Sequence, residues 1–228
     1  MHHAHLLPEG HGERIVLALP PLLAATVLPP VLEQFQREHA GAVVAFRECV
    51  REEQVSRIFS RDVDFALGFG VEPNAELDCD PVGRDQMCVA VPLDHPLAGR
   101  TRVRWSDLRA HPIIINAPGS GARTLAENAF AAAGESLRPA FETSNHLTAV
   151  ELARRGLGAA VVSSCVRPLA GSLRVAVRTL SAPTVARSLQ LARRRGTTLG
   201  ASASAFVELF GKVLASAQGE PRRPRGEA

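Results

Sequence analysis

The stretch IVLALPPLLAATVLPPVL, residues 15–32, carries Thr26 as its only polar side chain, and its reading decides the fold. An eighteen-residue apolar run is long enough for a membrane span, or for the core of a secretion signal following Arg14. Two proline pairs, Pro20-Pro21 and Pro29-Pro30, argue against a spanning helix, because each would interrupt the backbone hydrogen-bond ladder. The soluble reading divides the run. Arg14 to Leu19 is a buried strand, Pro20-Pro21 a turn, and Leu22 opens a helix towards His39.

Working outward, the same alternation continues. Ala42 to Phe46 is expected to be a second strand, and Arg51 to Arg61 a short helix burying Val55, Ile58 and Phe59 at helical spacing. Asp64 to Phe69 (DFALGF) and Met87 to Pro92 (MCVAVP) are further strands. Their apolar runs are continuous, as expected of strands covered on both faces. Strand, helix, strand, helix, strand implies right-handed crossovers and a parallel sheet.

The pattern restarts after Pro92. His95-Pro96-Leu97 marks a loop, Trp105 to Leu108 a helical turn, and Pro112 to Asn116 (PIIIN) a short buried strand. The small-residue loop Ala117 to Gly121 (APGSG) precedes a helix from Ala122 to about Ala133. Phe141 to Asn145 is extended and ends in capping residues for a helix from His146 to Arg155, which stops at Gly156-Leu157-Gly158. Ala159 to Ser163, Leu173 to Arg178 and Leu189 to Arg193 are strands. Ser202 to Ala217 is a last amphipathic helix burying Phe206, Leu209, Phe210 and Val213.

The composition restricts the chemistry. The 228 residues include 46% apolar and 21% charged residues, ordinary for a soluble protein, with a net charge of +3 that is too even to suggest a nucleic-acid binder. Lys212 is the only lysine, so a Schiff base would have to use it, and it belongs to no phosphate loop because Val213 follows. Tyrosine is absent. The four cysteines, Cys49, Cys79, Cys88 and Cys165, form no Cys-x-x-Cys pair and sit in or beside apolar stretches; reduced core thiols fit a cytoplasmic protein. His2, His3, His5 and His11 could bind a transition metal, but no cysteine joins them, and a mobile tail or cloning remnant is the simpler reading. No catalytic residue, metal site or cofactor is expected: Gly119-Ser120-Gly121 is not a hydrolase elbow, and His95, His111 and His146 are scattered. Arg193-Arg194-Arg195 is read as a solvated strand edge rather than a nucleic-acid patch.

The order of motifs resembles the effector-binding domain of LysR-type transcriptional regulators. Leu28-Pro29, Leu32 and Phe35 are similar to the family's "LLP..L..F" helix. Glu48, Gln54 and Val63-Asp64-Phe65-Ala66-Leu67 resemble its "E…Q…L..G..D.A" segment. His95-Pro96-Leu97 resembles "HPL", Asp107-Leu108 the following "DL", and Val150 to Ala160 (VELARRGLGAA) "LV..G.GIA.LP". Arg61 stands where the family usually has glycine, and Val162-Ser163 replaces "LP". Nothing in these residues resembles the winged helix-turn-helix or its linker helix, so operator binding is expected only through a domain this chain lacks.

The resemblance implies an α/β fold of the type 2 periplasmic-binding-protein kind: two Rossmann-like lobes with mainly parallel sheets joined by crossover strands. Residues 13–91 and 189–217 would form lobe I and 92–188 lobe II, with a disordered tail at 218–228. It also implies a homodimer and a small organic effector, with no membrane association. The rival is a solute-binding protein delivering its ligand to a transporter, which cleavage after Ala25 and a neighbouring permease gene would favour.

Such sheets bind ligands beyond the carboxyl ends of their strands, at helix N-termini whose unpaired N–H groups suit a carboxylate. The candidate lining is Pro20, Pro21 and Arg51 from the first lobe, and Asn116, Pro118, Ser120, Gly121, Ser144 and Asn145 from the second. Arg51 could clamp an acid or pair with Glu52 or Glu48, and Ser120, Ser144 and Asn145 could touch ligand or cap helices.

Overall fold

The computed structural model describes residues 13–218. The expected N-terminal tail with its four histidines, and the C-terminal tail beyond Gln218, lie outside the described residues.

Elements alternate as the patterning suggests. The first part runs β1 (Arg14–Leu19), α1 (Pro21–Thr26), α2 (Leu28–Glu38), β2 (Val43–Glu48), α3 (Arg51–Phe59), β3 (Phe65–Phe69) and β4 (Leu77–Pro92). Then come β5 (Arg102–Arg104), a 3-10 turn at Trp105–Ala110, β6 (Ile113–Asn116), α4 (Gly121–Ala132), β7 (Pro139–Thr143) and α5 (His146–Arg154). Last are β8 (Ala159–Ser163), a second 3-10 turn at Ser164–Leu169, β9 (Val175–Ser181), β10 (Ala186–Arg194) and α6 (Ala201–Ala217).

The opening run is a strand and two helices, with no helix among the described residues long and apolar enough to cross a membrane. Pro21 takes the first helical position, where a missing N–H removes no helix bond. The single helix expected from Leu22 to His39 is two. Pro29 and Pro30 have no N–H to return to Ala25 and Thr26, so the chain breaks at Val27 (φ −102°, ψ −39°) and Pro29 falls in the first turn of α2.

One half of the molecule is the sheet β2-β1-β3-β10-β4. Within it β1, β2 and β3 run parallel, with Leu19 opposite Glu48 and Leu17 opposite Phe65. The other half contains β4, β8, β6 and β7 in that order, with β9 also paired to β4's end and β5 paired to β9. Every antiparallel pairing involves β4 or β10, the strands that pass between the halves. β4 is longer than its apolar run predicts. Residues 77–86 pair with β10, and residues 87–92 pair with β8 and β9. Pro81 and Gly83 are tolerated inside it because they flank a bulge: Gln190 faces Pro81 and Leu189 faces Gly83, leaving Val82 as the extra residue.

Three apolar clusters cover the sheets. The first gathers α1, α2 and α6 with α5 and the second 3-10 turn, and so includes side chains from both halves, among them Leu23, Phe35, Phe206, Val150 and Val162. The second lies under α4 and Trp105; the third, under α3, contains Ile58, Val63 and Ala66. The arginine run 193–195 is largely neutralised across strands, Arg193 meeting Asp80 at 3.1 Å and Arg195 meeting Asp78 at 3.3 Å.

Candidate functional site

Strand register locates a cleft. Phe69, at the carboxyl end of β3, is level with Leu189 of β10 and through it with Gly83 of β4. Ser163, at the carboxyl end of β8, is level with Met87 of the same strand. The two carboxyl ends point at each other across four residues of β4, or about 13 Å at ordinary strand rise. Since β1 and β2 run with β3, and β6 and β7 with β8, all six ends border one gap floored by β4 and β10.

The residues proposed from sequence lie at or follow the ends of β1, β2, β6 and β7 or open the helices after them. Pro20 and Pro21 follow β1, and the Pro20 carbonyl accepts the Ala24 N–H at 3.1 Å. Arg51 is the first residue of α3. Its Nε and Nη2 donate to Glu52 Oε1 at 3.0 and 2.7 Å, and its Nη1 to the Gly70 carbonyl at 3.3 Å, which ties α3 to the end of β3. Across the gap, buried Asn116 ends β6. Its carbonyl accepts from Arg123, a buried guanidinium that also holds Glu127 at 2.7 Å and Glu142 at 2.6 Å. Pro118 lies in the loop that follows. Ser120 Oγ accepts the Arg123 N–H at 3.1 Å and so caps α4, which starts at Gly121; Asn145 Oδ1 accepts the Leu147 N–H at 2.8 Å and caps α5. Ser144 is exposed beside it. The Ala117 N–H donates to the Thr143 carbonyl at 3.0 Å, joining the two loops of this rim.

The floor holds a polar cluster that sequence reasoning passed over. Asp85, fully buried, accepts from the Ser164 N–H at 2.9 Å and hydroxyl at 2.7 Å on one oxygen, and from Arg187 Nε at 2.8 Å on the other. The Arg187 guanidinium also lies 4.0 Å from the centre of the Phe69 ring, so one side chain touches the floor and the end of β3. His146, the first residue of α5, feels both charges. Its Nδ1 is enclosed without a partner, and burial, reinforced by Arg187, pulls its pKa down to about 4. Gln54, buried on α3, donates to the Cys49 carbonyl at 3.3 Å and leaves its Oε1 unpartnered over Gly68, where a Cβ would fall 2.2 Å away. A lone aspartate and a lone arginine abutting apolar runs, in RDQMCVAV and ARSLQLA, were the available signals.

Among the described residues no three His, Cys, Asp or Glu side chains converge to hold a metal ion. Burial raises the pKa of all four thiols, that of Cys88 to about 11, which keeps them protonated and poorly nucleophilic. Helix N-termini, guanidinium groups and amides around a narrow gap suit a small polar ligand.

The pattern described as the LysR substrate binding domain matches residues 8–215. The chain belongs to this family. Among curated relatives, it is 30% identical over 140 residues to the HTH-type transcriptional regulator CysL of Bacillus subtilis, covering 61% of this chain and 47% of that one. It is 25% identical over 200 residues to the regulator YbhD of Escherichia coli, covering 88% and 63%. The chain therefore spans about half to two-thirds of the length of these relatives.

Solved structures agree on the fold. The C-terminal domain of a probable LysR family regulator from Rhodococcus sp. RHA1 superposes with a TM-score of 0.71 at 27% identity, covering 87% of this chain and 98% of that one. The effector-binding domain of QuiR in complex with shikimate gives 0.73 at 18%, covering 90% and 98%. That of BenM with its effector benzoate gives 0.75 at 18%, covering 92% and 96%. The fold is thus the two-lobed type 2 periplasmic-binding-protein architecture expected from the motifs, and the relatives are transcriptional regulators.

Proposed function

We propose that this LysR effector-binding domain senses a small organic acid in the cleft and transmits the event through a change in the relative pose of its lobes. The observation that carries the reading is the register of β4 and β10, which sets the N-termini of α3, α4 and α5 around one gap with Arg51 and Arg187 beside it. Positive helix ends and guanidinium groups favour a carboxylate. The effectors named for QuiR and BenM, shikimate and benzoate, are both of this class.

In this reading Pro20, Pro21, Arg51, Asn116, Pro118, Ser120, Gly121, Ser144 and Asn145 line the site over the Asp85–Arg187 floor. Arg51 exchanges its contact with Glu52 for the ligand. Lobe I comprises residues 13–91 and 189–217 and lobe II residues 92–188, and the exchange of β4 partners between Gln86 and Met87 offers a hinge a few residues ahead of that division. The domain acts by binding and not by catalysis, in the cytoplasm, as a homodimer. Exposed Val43 and Phe46 on edge strand β2, and Phe141 on the opposite edge strand β7, supply apolar surface for the dimer contact. DNA would be held by the helix-turn-helix portion of the whole regulator, coupled to the effector by linkage.

The test is a thermal-shift and calorimetric panel of aromatic and aliphatic acids with their matching amides. At least one acid raises the unfolding midpoint by several degrees where its amide does not, and Arg51→Ala removes that preference. Equal response to acids and amides would overturn the anionic reading, and an unchanged preference in Arg51→Ala would remove the clamp.

A further inference from the structure

The seam between the lobes holds a second concavity, separate from the cleft. It is open on one side and has a volume of about 670 Å³, within the range that binds small molecules. One wall comes from α2 and α6, including Pro30 and Val213; the other comes from the second 3-10 turn and β9, including Pro168 and Val177.

Its polar groups are unusual. Three arginines line it, Arg167, Arg174 and Arg178, and none pairs with a carboxylate among the described residues. Arg178 donates to the Ala98 carbonyl at 2.9 and 2.6 Å. Arg174 is exposed at the edge. Arg167 is only 8% exposed. It donates to the Thr179 hydroxyl at 2.7 Å and the Val177 carbonyl at 3.3 Å, while its Nε is enclosed without any partner. A buried guanidinium held only by neutral acceptors lacks the counter-charge that normally offsets its lost hydration. An anion reaching it would supply that charge, and the apolar walls would take a hydrocarbon tail.

We propose that this seam is a second binding site, for an amphipathic monocarboxylate such as a medium-chain acid. The carboxylate lies among Arg167, Arg174 and Arg178, and the tail lies against Pro30, Pro168, Val177 and Val213. Because the walls belong to different lobes, an occupant favours the pose in which both meet it, and so couples to whatever the cleft binds. The proposal does not depend on the cleft taking an acid.

The test uses octanoate and octanamide with the chain as it stands, by calorimetry and by amide NMR. Octanoate is expected to bind at least ten-fold more tightly than octanamide, shifting signals from residues 167–178 and 213–217. Arg174→Gln should weaken octanoate several-fold, and Ser216→Trp, at an exposed lining position of α6, should block it. Both substitutions are at the surface, and circular dichroism checks that each variant folds; if Ser216→Trp does not, Arg174→Gln decides. No octanoate binding, equal binding of octanamide, or an affinity unmoved by Arg174→Gln would overturn the site. Shifts confined to residues 118–121 and 144–146 would place the acid in the cleft and overturn it equally.

Discussion

The Asp85 carboxylate holds the Arg187 guanidinium at 2.8 Å, joining β4 to β10 where both strands pass from one lobe to the other. Asp85 is wholly buried and also anchors the Ser164 N–H and hydroxyl, so the pair fixes these two strands to the start of the second 3-10 turn. Removing one partner leaves the other buried and uncompensated. Asp85→Ala is expected to lower stability by about 3–5 kcal/mol in urea denaturation. Adding Arg187→Leu to it should cost less than the two single losses together, because the double variant strands no charge. Simple additivity would show that the two side chains are not energetically coupled.

His146 sets a pH dependence with a defined sign. Its folded pKa of about 4 lies below the ordinary 6.5, so the unfolded chain takes up the proton first as pH falls. Stability is therefore complete above about pH 6.5, declines as pH drops towards 4, and has then lost roughly 3 kcal/mol. Burial also lowers the pKa of His95, so the informative quantity is the difference between the unsubstituted chain and His146→Gln. Between pH 7 and 4.5 the urea midpoint of the unsubstituted chain should fall more steeply than that of His146→Gln. Parallel curves would mean that the enclosed ring is not titrating as its surroundings require.

What was legible in the sequence was local. Ser120 and Asn145 announce helix starts by their own chemistry, and both accept a backbone N–H within three residues. The proline pairs excluded a spanning helix for the same reason, although the break at Val27 was not foreseen. What stayed hidden depended on partners far along the chain. The first half of β4 contains Asp78, Asp80, Pro81 and Gly83, a turn-like composition, and it is a strand because β10 pairs with it over a hundred residues later. With that half unseen, Asp85 and Arg187 fell outside the expected strands, and the floor of the cleft went with them.

Two glycines of one turn should respond differently to alanine. At Gly158 an added Cβ would lie 2.4 Å from the Pro112 carbonyl oxygen, backbone that also receives the Ala159 N–H at 2.8 Å and cannot retreat without breaking that bond. At Gly156 the space is open and only the positive φ of 75° opposes a side chain. Gly156→Ala is expected to cost about 1 kcal/mol, the usual left-handed penalty. Gly158→Ala should cost at least about 2 kcal/mol, as overpacking against fixed backbone does. Equal unfolding midpoints for the two variants would contradict the close approach.

Arg61 offers the opposite case, a residue the chain would be more stable without. It sits at φ 61° in the turn from α3 to β3, and its side chain is exposed. A non-glycine residue in the left-handed region carries about 1–2 kcal/mol of strain, partly offset in glycine by greater backbone entropy in the unfolded chain. Arg61→Gly is therefore expected to raise stability by about 0.5 kcal/mol. Asn, which tolerates this conformation better than most residues, should fall between Arg and Gly. A loss of stability in Arg61→Gly would mean that the guanidinium contributes more than the strain it imposes.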